Sequence, residues 1–266
     1  RDAVARDLAR RDPRRAGELR RRAAAEVWGA GAGSPRLWQT TADLLYLVEN
    51  PAVRHAFFPP GAGEHAVEPA GPADWDAIGR ISRAWDSPEA AEAIRRWWGR
   101  HPGAFSVTRG ADGRVTGFSA TVERRELDPD VVAGDPVAEV CATDLRDRPT
   151  GDDELVLLAR RFLAEEGGGA MGPAMAALFL DVKRLYMEMR PRLRRVYTAV
   201  VHRPGPDPFL DALGFARVGG PVAMGDVDYQ AVVLDFGPGS VDGWLRSLID
   251  AEARAEEPAH APLTVS

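Results

Sequence analysis

Cysteine is almost missing from this chain. Cys141 is the only one in 266 residues, so an intrachain disulfide is excluded and a reducing, cytoplasmic setting is the default expectation. Lysine is just as scarce: Lys183 stands alone, which reflects a GC-rich coding bias more than a demand for guanidinium chemistry. Long apolar runs are lacking too. The longest, Ala170 to Leu180, is interrupted by Gly172 and Pro173, whereas a membrane-crossing helix needs about twenty apolar residues. No apolar stretch follows the basic N-terminal residues, so no signal peptide is read there. His55, His65, His101, His202 and His260 are scattered without i, i+4 or Cys partners, and no metal site is expected. No Gly-x-Ser-x-Gly elbow occurs, and Cys141 has no base beside it in sequence.

What is present suffices for a core. Hydrophobic residues make up 45% and charged residues 28%, which is a globular composition and allows one large domain or a medium one with an appendage. The net charge of −6 is uneven. Residues 1–22 hold nine arginines against Asp2, Asp7, Asp12 and Glu18, so the remaining body is acidic. That argues against a nucleic-acid surface on the body. The Arg-rich start reads as the solvated face of a helix whose other face carries Val4, Leu8 and Leu19. A DNA-binding winged helix cut short is the weaker reading, because no base-reading set accompanies the arginines. The chain starts at Arg1, without Met and inside a helix-like pattern, and so reads as a piece of something longer.

The first sixty residues read as helices. Asp12-Pro13 supplies a cap and a first-turn proline, Leu19, Ala23 and Val27 follow at four-residue spacing, and Gly29–Gly33 stops the helix. A third helix fits Pro35–Glu49, and a short one restarts at Asn50-Pro51. Pro59-Pro60-Gly61 makes a linker.

From His65 onwards strands and helices alternate. His65–Pro69 is a short strand. Pro72–Trp85 puts Trp75, Ile78, Ile81 and Trp85 on one helical face. Ser87-Pro88 caps a helix with Ala91, Ile94, Trp97 and Trp98 as its stripe; of adjacent tryptophans, one normally anchors in the core. Phe105–Thr108 and Val115–Val122 form a hairpin around Asp112-Gly113. Residues 128–152 are proline-rich, with one helical turn around Val137–Leu145. Leu155–Leu163 is a strand, Glu165–Gly172 a glycine-rich loop, and Pro173 opens the most regular helix. Val196–Val201, apolar on both faces, suits a doubly covered strand. A short helix at Asp207–Leu213, strands at Phe215–Val218 and Tyr229–Phe236, and a helix capped by Ser240 close the chain. After about Glu252 the tail is polar and expected to be mobile.

This order, with the hairpin Ala111-Asp112-Gly113-Arg114-Val115-Thr116-Gly117-Phe118 and the late Ala212-Leu213-Gly214-Phe215, resembles the GNAT family of N-acetyltransferases over roughly residues 64–237. The resemblance implies an α+β fold: a mixed, mostly antiparallel sheet with helices on both faces, here with a helical N-terminal extension. The expected division is 1–62 helical extension, 63–237 acyltransferase-like domain, and 238–266 closing helix and tail. Residues 1–60, through Asp12-Pro13-Arg14-Arg15, Leu37-Trp38 and Asp43-Leu44-Leu45-Tyr46, look like the end of a bacterial STAND-class signalling ATPase. Upstream domains of a longer signalling protein would then be partners. No Gly-x-x-x-x-Gly-Lys-Ser/Thr pattern occurs, so no ATP hydrolysis is expected from this chain.

The GNAT resemblance implies acetyl-CoA as co-substrate and an unidentified amine as acceptor, with no covalent enzyme intermediate. Its pyrophosphate would sit on backbone N–H groups between the fourth strand and the long helix, around Phe162, Leu163, Glu165, Gly168, Gly169, Ala170 and Met171. Two positions depart from the family. Glu165 stands where the family carries Arg or Gln, and Leu210 stands where many members have a proton-donating tyrosine. Strand alternation would send Arg160 and Arg161 to opposite faces. Tyr186 and Tyr197 are the nearest replacement acids, and both also fit a core stripe; Glu123 and Glu154 are candidate bases by position. The departures leave a second reading open, a catalytically silent sensing or interaction domain.

Overall fold

The computed structural model describes residues 2–31 and 37–255. Pro35, the end of the Gly29–Gly33 stop and the tail beyond 255 lie outside the described residues.

Three helices, α1 (Asp2–Arg11), α2 (Pro13–Gly31) and α3 (Leu37–Leu47), precede the short α4 (Pro51–Phe57). Asp12 accepts the Arg15 N–H at 2.9 Å, and Asn50 accepts the Ala52 N–H at 2.9 Å, so the two cap signals act as the sequence suggests. The expected apolar face of the first helices is not buried as drawn. Val4 is 74% exposed and Leu19 46%, whereas Ala16 and Ala24 turn inward. Small side chains let α2 lie close against the C-terminal helix α11 (Ser240–Ala255), and that contact selects the alanine face. Ala24, Leu44, Val48, Val53 and Phe57 share one core with Val182 and Tyr186 of the long helix and with Trp244 and Leu245 of α11.

The remaining elements run β1 (Ala66–Pro69), α5 (Trp75–Trp85), α6 (Pro88–Arg100), β2 (Phe105–Arg109), β3 (Val115–Glu123), α7 (Pro129–Ala133), α8 (Pro136–Asp147), β4 (Leu155–Ala164), α9 (Pro173–Met189), β5 (Leu193–Val201), α10 (Pro208–Leu213), β6 (Ala216–Met224) and β7 (Val227–Asp235). The single helical turn expected near 137–145 is in fact two helices, each with an aspartate cap and a first-turn proline: Asp128-Pro129 and Asp135-Pro136. β6 is also longer than read, because Gly219-Gly220-Pro221 is accommodated as an irregularity in its pairing with β7.

The seven strands are ordered β1-β2-β3-β4-β5-β7-β6. Every neighbouring pair is antiparallel except β4–β5. One face is covered by α5, α6 and α8, through Ile78, Ile81, Ile94, Trp97, Val137 and Leu145. The other is covered by α9, α11 and the N-terminal helices. The architecture is therefore the α+β arrangement that the GNAT resemblance implies. No described helix is long and apolar enough to cross a membrane.

Candidate functional site

The parallel pair at the centre of the sheet comes apart. β4 and β5 pair from Leu155↔Leu193 to Ala159↔Thr198, with a one-residue shift after Leu155, and their pairing stops there. β4 continues for five more residues and β5 for three, each still bonded to its outer neighbour, β3 or β7. The two strands thus diverge towards their C-terminal ends. A cleft between parted parallel strands exposes backbone N–H and C=O groups that a bound ligand can take up.

A bulge marks the start of the divergence. Thr121 faces Ala159 and Ala120 faces Arg161, which leaves Arg160 as the extra residue on β4. The expectation that Arg160 and Arg161 point to opposite faces is corrected here, because the bulge turns both onto the face of α5, α6 and α8. Arg161 donates to Asp86 Oδ1 through Nε at 3.0 Å and Nη2 at 2.6 Å, and the Tyr229 hydroxyl donates to the same oxygen at 2.9 Å. Ser82 donates to Asp86 Oδ2 at 3.1 Å. Arg160 pairs with Asp135, which also accepts the Trp97 indole N–H at 2.9 Å and caps α8. Both guanidinium groups lie over the Tyr229 ring, 5.5 and 6.0 Å from its centroid. Burial, reinforced by Asp86, pushes the Tyr229 hydroxyl up to about 12.

At the C-terminal end of β4 the chain enters the glycine loop. The Ala164 N–H donates to the Gly168 carbonyl at 2.9 Å, which folds the loop into a tight turn. Gly167 and Gly168 have φ of +77° and +60°, conformations that favour glycine. Gly168 lies against Trp85, where a Cβ would come 2.6 Å from the indole ring. The Trp85 indole N–H donates to the Glu165 carbonyl at 3.1 Å. The Glu165 carboxylate is drawn aside by Arg80 at 3.1 Å and Arg114 at 3.6 Å. α9 then begins at Pro173 with no side chain capping it and no acidic residue in its first turn. Backbone N–H groups of Glu166, Gly167, Gly169, Met171 and Gly172, and those of Ala174 and Met175, have no hydrogen-bond acceptor among the described residues. Free N–H groups at the start of a 17-residue helix favour an anion.

The sequence-read site residues divide between the two ends of the sheet. Phe162, Leu163, Glu165, Gly168, Gly169, Ala170 and Met171 lie together at the divergent end of β4 and in the loop after it. Within that group Leu163 is core and Phe162 stacks on Phe179 of α9 at 5.1 Å, so the loop supplies the accessible part. Glu123 and Glu154 lie at the opposite, closed end. Glu123 is opposite Leu157 and accepts the Arg125 N–H at 3.1 Å, while Glu154 accepts the Gly151 N–H at 2.8 Å. Glu123 lines a cleft of about 570 Å³ with His101, Arg184 and Met189. Tyr197 is one pair short of the divergence, buried, and donates to Asp144 at 2.7 Å; burial and that carboxylate raise its pKa. Tyr186 is likewise a core residue whose pKa burial raises. Cys141 is buried, its thiol pushed up to about 12 by desolvation. A second cleft of about 210 Å³ lies beside the C-terminal end of β5, lined by Val200, His202, Leu210, Arg217, Gln230 and Val232 among others.

Asp86, Asp135, Tyr229 and the contact of Trp85 with the loop are not legible as site features in the sequence. Asp86 sits between Trp85 and the Ser87-Pro88 cap, and Asp135 precedes Pro136 and caps α8, so neither stands out in sequence as the partner of an arginine. Adjacent arginines inside the apolar run Leu155–Ala164 were the available signal, since alternation would have left one of them unpartnered in a core.

No protein-family model matches this chain, and no curated protein matches it. Among solved structures, the chain is similar to FeeM, an N-acyl amino acid synthase from uncultured soil microbes (17% identity, 72% of this chain and 93% of that one, TM-score 0.46). It is similar to a chain of the NatC complex bound to Gag peptide and CoA (11%, 65% and 98%, 0.41). It is also similar to a GNAT-family acetyltransferase from Bacillus cereus (12%, 64% and 96%, 0.36). The overlaps are partial at these values. The strand order and the divergence of β4 from β5 are what bear on function.

Proposed function

We propose that the chain carries an acyl-CoA-dependent N-acyltransferase site, with acetyl-CoA or another acyl-CoA as donor and an amine as acceptor. The observation that carries this reading is the divergence of β4 and β5 beyond Ala159 and Thr198, directly beside a glycine loop and an uncapped helix start. A phosphate-bearing thioester carrier needs both features: an anion cradle and an open strand edge to run along.

Glu165 counts against this less than its type suggests. A free carboxylate beside pyrophosphate would repel it, but here Arg80 and Arg114 hold the side chain and offset its charge. The backbone N–H groups named above would hold the phosphates. Binding the donor and amine side by side would make attack on the thioester intramolecular in effect, with no covalent enzyme intermediate. The face bearing Arg161, Asp86 and Tyr229 lies opposite the one bearing α9, so the acceptor would reach the divergence from there.

The test is calorimetric titration with acetyl-CoA, together with the shift in melting temperature that binding to the folded state produces. No heat at millimolar acetyl-CoA and no shift would remove the reading. A catalytically silent sensing or interaction domain is the second reading, favoured by Leu210 and by the Trp85 ring on Gly168. Glu165→Gln with Leu210→Tyr separates the two. CoA binding gained by that variant, with no native turnover, supports the silent domain, whereas wild-type turnover excludes it.

A further inference from the structure

β2 and β3 carry polar residues on one face of the sheet. Phe105, Val107, Phe118, Ala120 and Val122 point into the core under α5, α6 and α8, so alternation puts Ser106, Thr121 and Glu123 on the α9 face. There they line the cleft of about 570 Å³, together with Arg184, Leu185 and Met189 from the C-terminal part of α9. Leu157, opposite Glu123 on β4, adds to its apolar side. A cleft of this size is in the ordinary range for a small organic ligand.

The two arginines of the cleft have carboxylates of their own. Arg184 is held by Asp181 at 2.8 Å and Glu188 at 2.6 Å, and Arg100 lies 3.5 Å from Asp128 and 3.6 Å from Asp130. His101 Nε2 accepts the Asp128 N–H at 2.9 Å; a ring nitrogen that accepts carries no proton, so this histidine adds no positive charge. Glu123 and Glu126, which also line the cleft, have no cationic partner among the described residues. Glu123 accepts only the backbone N–H of Arg125, at 3.1 Å. The hydroxyls of Ser106 and Thr121 are uncommitted as well. The charge left over in the cleft is therefore negative, and it sits beside an apolar wall.

We propose that this cleft binds an organic ammonium ion, a protonated primary amine on an apolar body. The three N–H donors of such a group match the Glu123 and Glu126 carboxylates and the hydroxyl oxygens, while the body covers Leu157, Leu185 and Met189. A bare metal ion fits less well, since no group of three or more His, Cys, Asp or Glu among the described residues could hold one. The site is separate from the acyl-transfer reading and stands without it. Leu157 still pairs with Val196, short of the divergence, and Met189 is at the far end of α9 from Pro173, about 24 Å along the helix.

The test is calorimetric titration with 2-phenylethylamine near neutral pH, where the amine is protonated. 2-Phenylethanol has the same ring and chain without the charge. The wild type should bind the amine, and bind the alcohol about tenfold more weakly or worse, because charge-assisted hydrogen bonds are roughly twice as strong as neutral ones. Glu123→Gln with Glu126→Gln keeps an acceptor for the Arg125 N–H, removes both charges and should weaken amine binding about tenfold or more. Circular dichroism checks the double variant. If it does not fold, Glu126→Gln alone, at an exposed position, serves, with about a threefold loss expected. No heat with the amine at about 10 mM, equal affinity for amine and alcohol, or a folded variant that binds the amine like the wild type overturns the assignment.

Discussion

Replacing Arg161 by Met should destabilise the protein by about 3 kcal/mol, because it strands a buried carboxylate. Asp86 and Arg161 have side chains 0% and 8% exposed. Without Arg161, Asp86 keeps only Tyr229 and Ser82 as donors, both neutral. Breaking a buried pair from one side costs roughly 3–5 kcal/mol, and the two remaining hydroxyl donors favour the lower end. Asp86→Asn alone leaves Arg161 buried without a counter-charge, since Asp135 is taken by Arg160. The double variant removes both charges and should cost clearly less than the sum of the single costs, with a coupling of about 2 kcal/mol. Urea denaturation of the four proteins gives that coupling directly. A typical domain has only about 5–15 kcal/mol in total, so the single changes should be obvious in the midpoints. Additive costs, or a single Arg161→Met cost below about 1 kcal/mol, would refute the view that this pair is a closed unit at the root of the divergence.

Three further outcomes are expected. Gly168→Ala should weaken CoA binding in calorimetry and destabilise by about 1–2 kcal/mol, since alanine meets both a φ of +60° and the Trp85 ring; adding Trp85→Ala relieves the collision but not the backbone cost. Trp85→Phe removes the hydrogen bond to the Glu165 carbonyl, so hydrogen exchange across residues 165–170 should quicken while the global midpoint moves by less than about 1 kcal/mol. Lys183, half-buried among Phe57, Phe179 and Tyr186, has its pKa lowered by burial from 10.5 to about 8. Its charged form is disfavoured by folding, so the cost is full below pH 8 and disappears as pH rises towards 10.5. After allowance for residual solvent and the three rings that favour the ammonium, Lys183→Met should gain about 1–2 kcal/mol at pH 7 and nothing at pH 10.5; parallel pH profiles for the two proteins would contradict this.

Much of the fold is legible in local chemistry. The caps at Asp12, Asn50, Ser87 and Asp207 act where the sequence puts them, because a cap and its proline depend on a few adjacent residues. Of the adjacent tryptophans, Trp97 is buried and Trp98 packs half-buried against Phe105, as stripe geometry requires. Legibility fails where partners are distant. Whether Leu19 or Ala16 turns inward is decided by α11, more than two hundred residues away. The helices α7 and α8 are hidden by prolines that look like loop residues until each is seen behind an aspartate cap.

The site divides along the same line. The glycine loop and the helix behind it are contiguous, so the proposed anion cradle is legible in residues 165–175 alone. The bulge cannot, because it exists only as a mismatch between two strands: Arg160 is extra only when Ala120 and Thr121 are counted against Arg161 and Ala159. Yet the sequence did contain a contradiction that demanded a bulge. A doubly covered strand has no solvent face on which to place either of two adjacent arginines, so both need buried acids, and simple alternation would send them to different covers. One extra residue lets a single polar patch serve both, through Asp86 and Asp135 beneath the Tyr229 ring. The same extra residue bends β4 just beyond its last pair with β5. Charge satisfaction and strand divergence are therefore one structural event, and an Arg-Arg pair inside an apolar strand is a sequence signal for both.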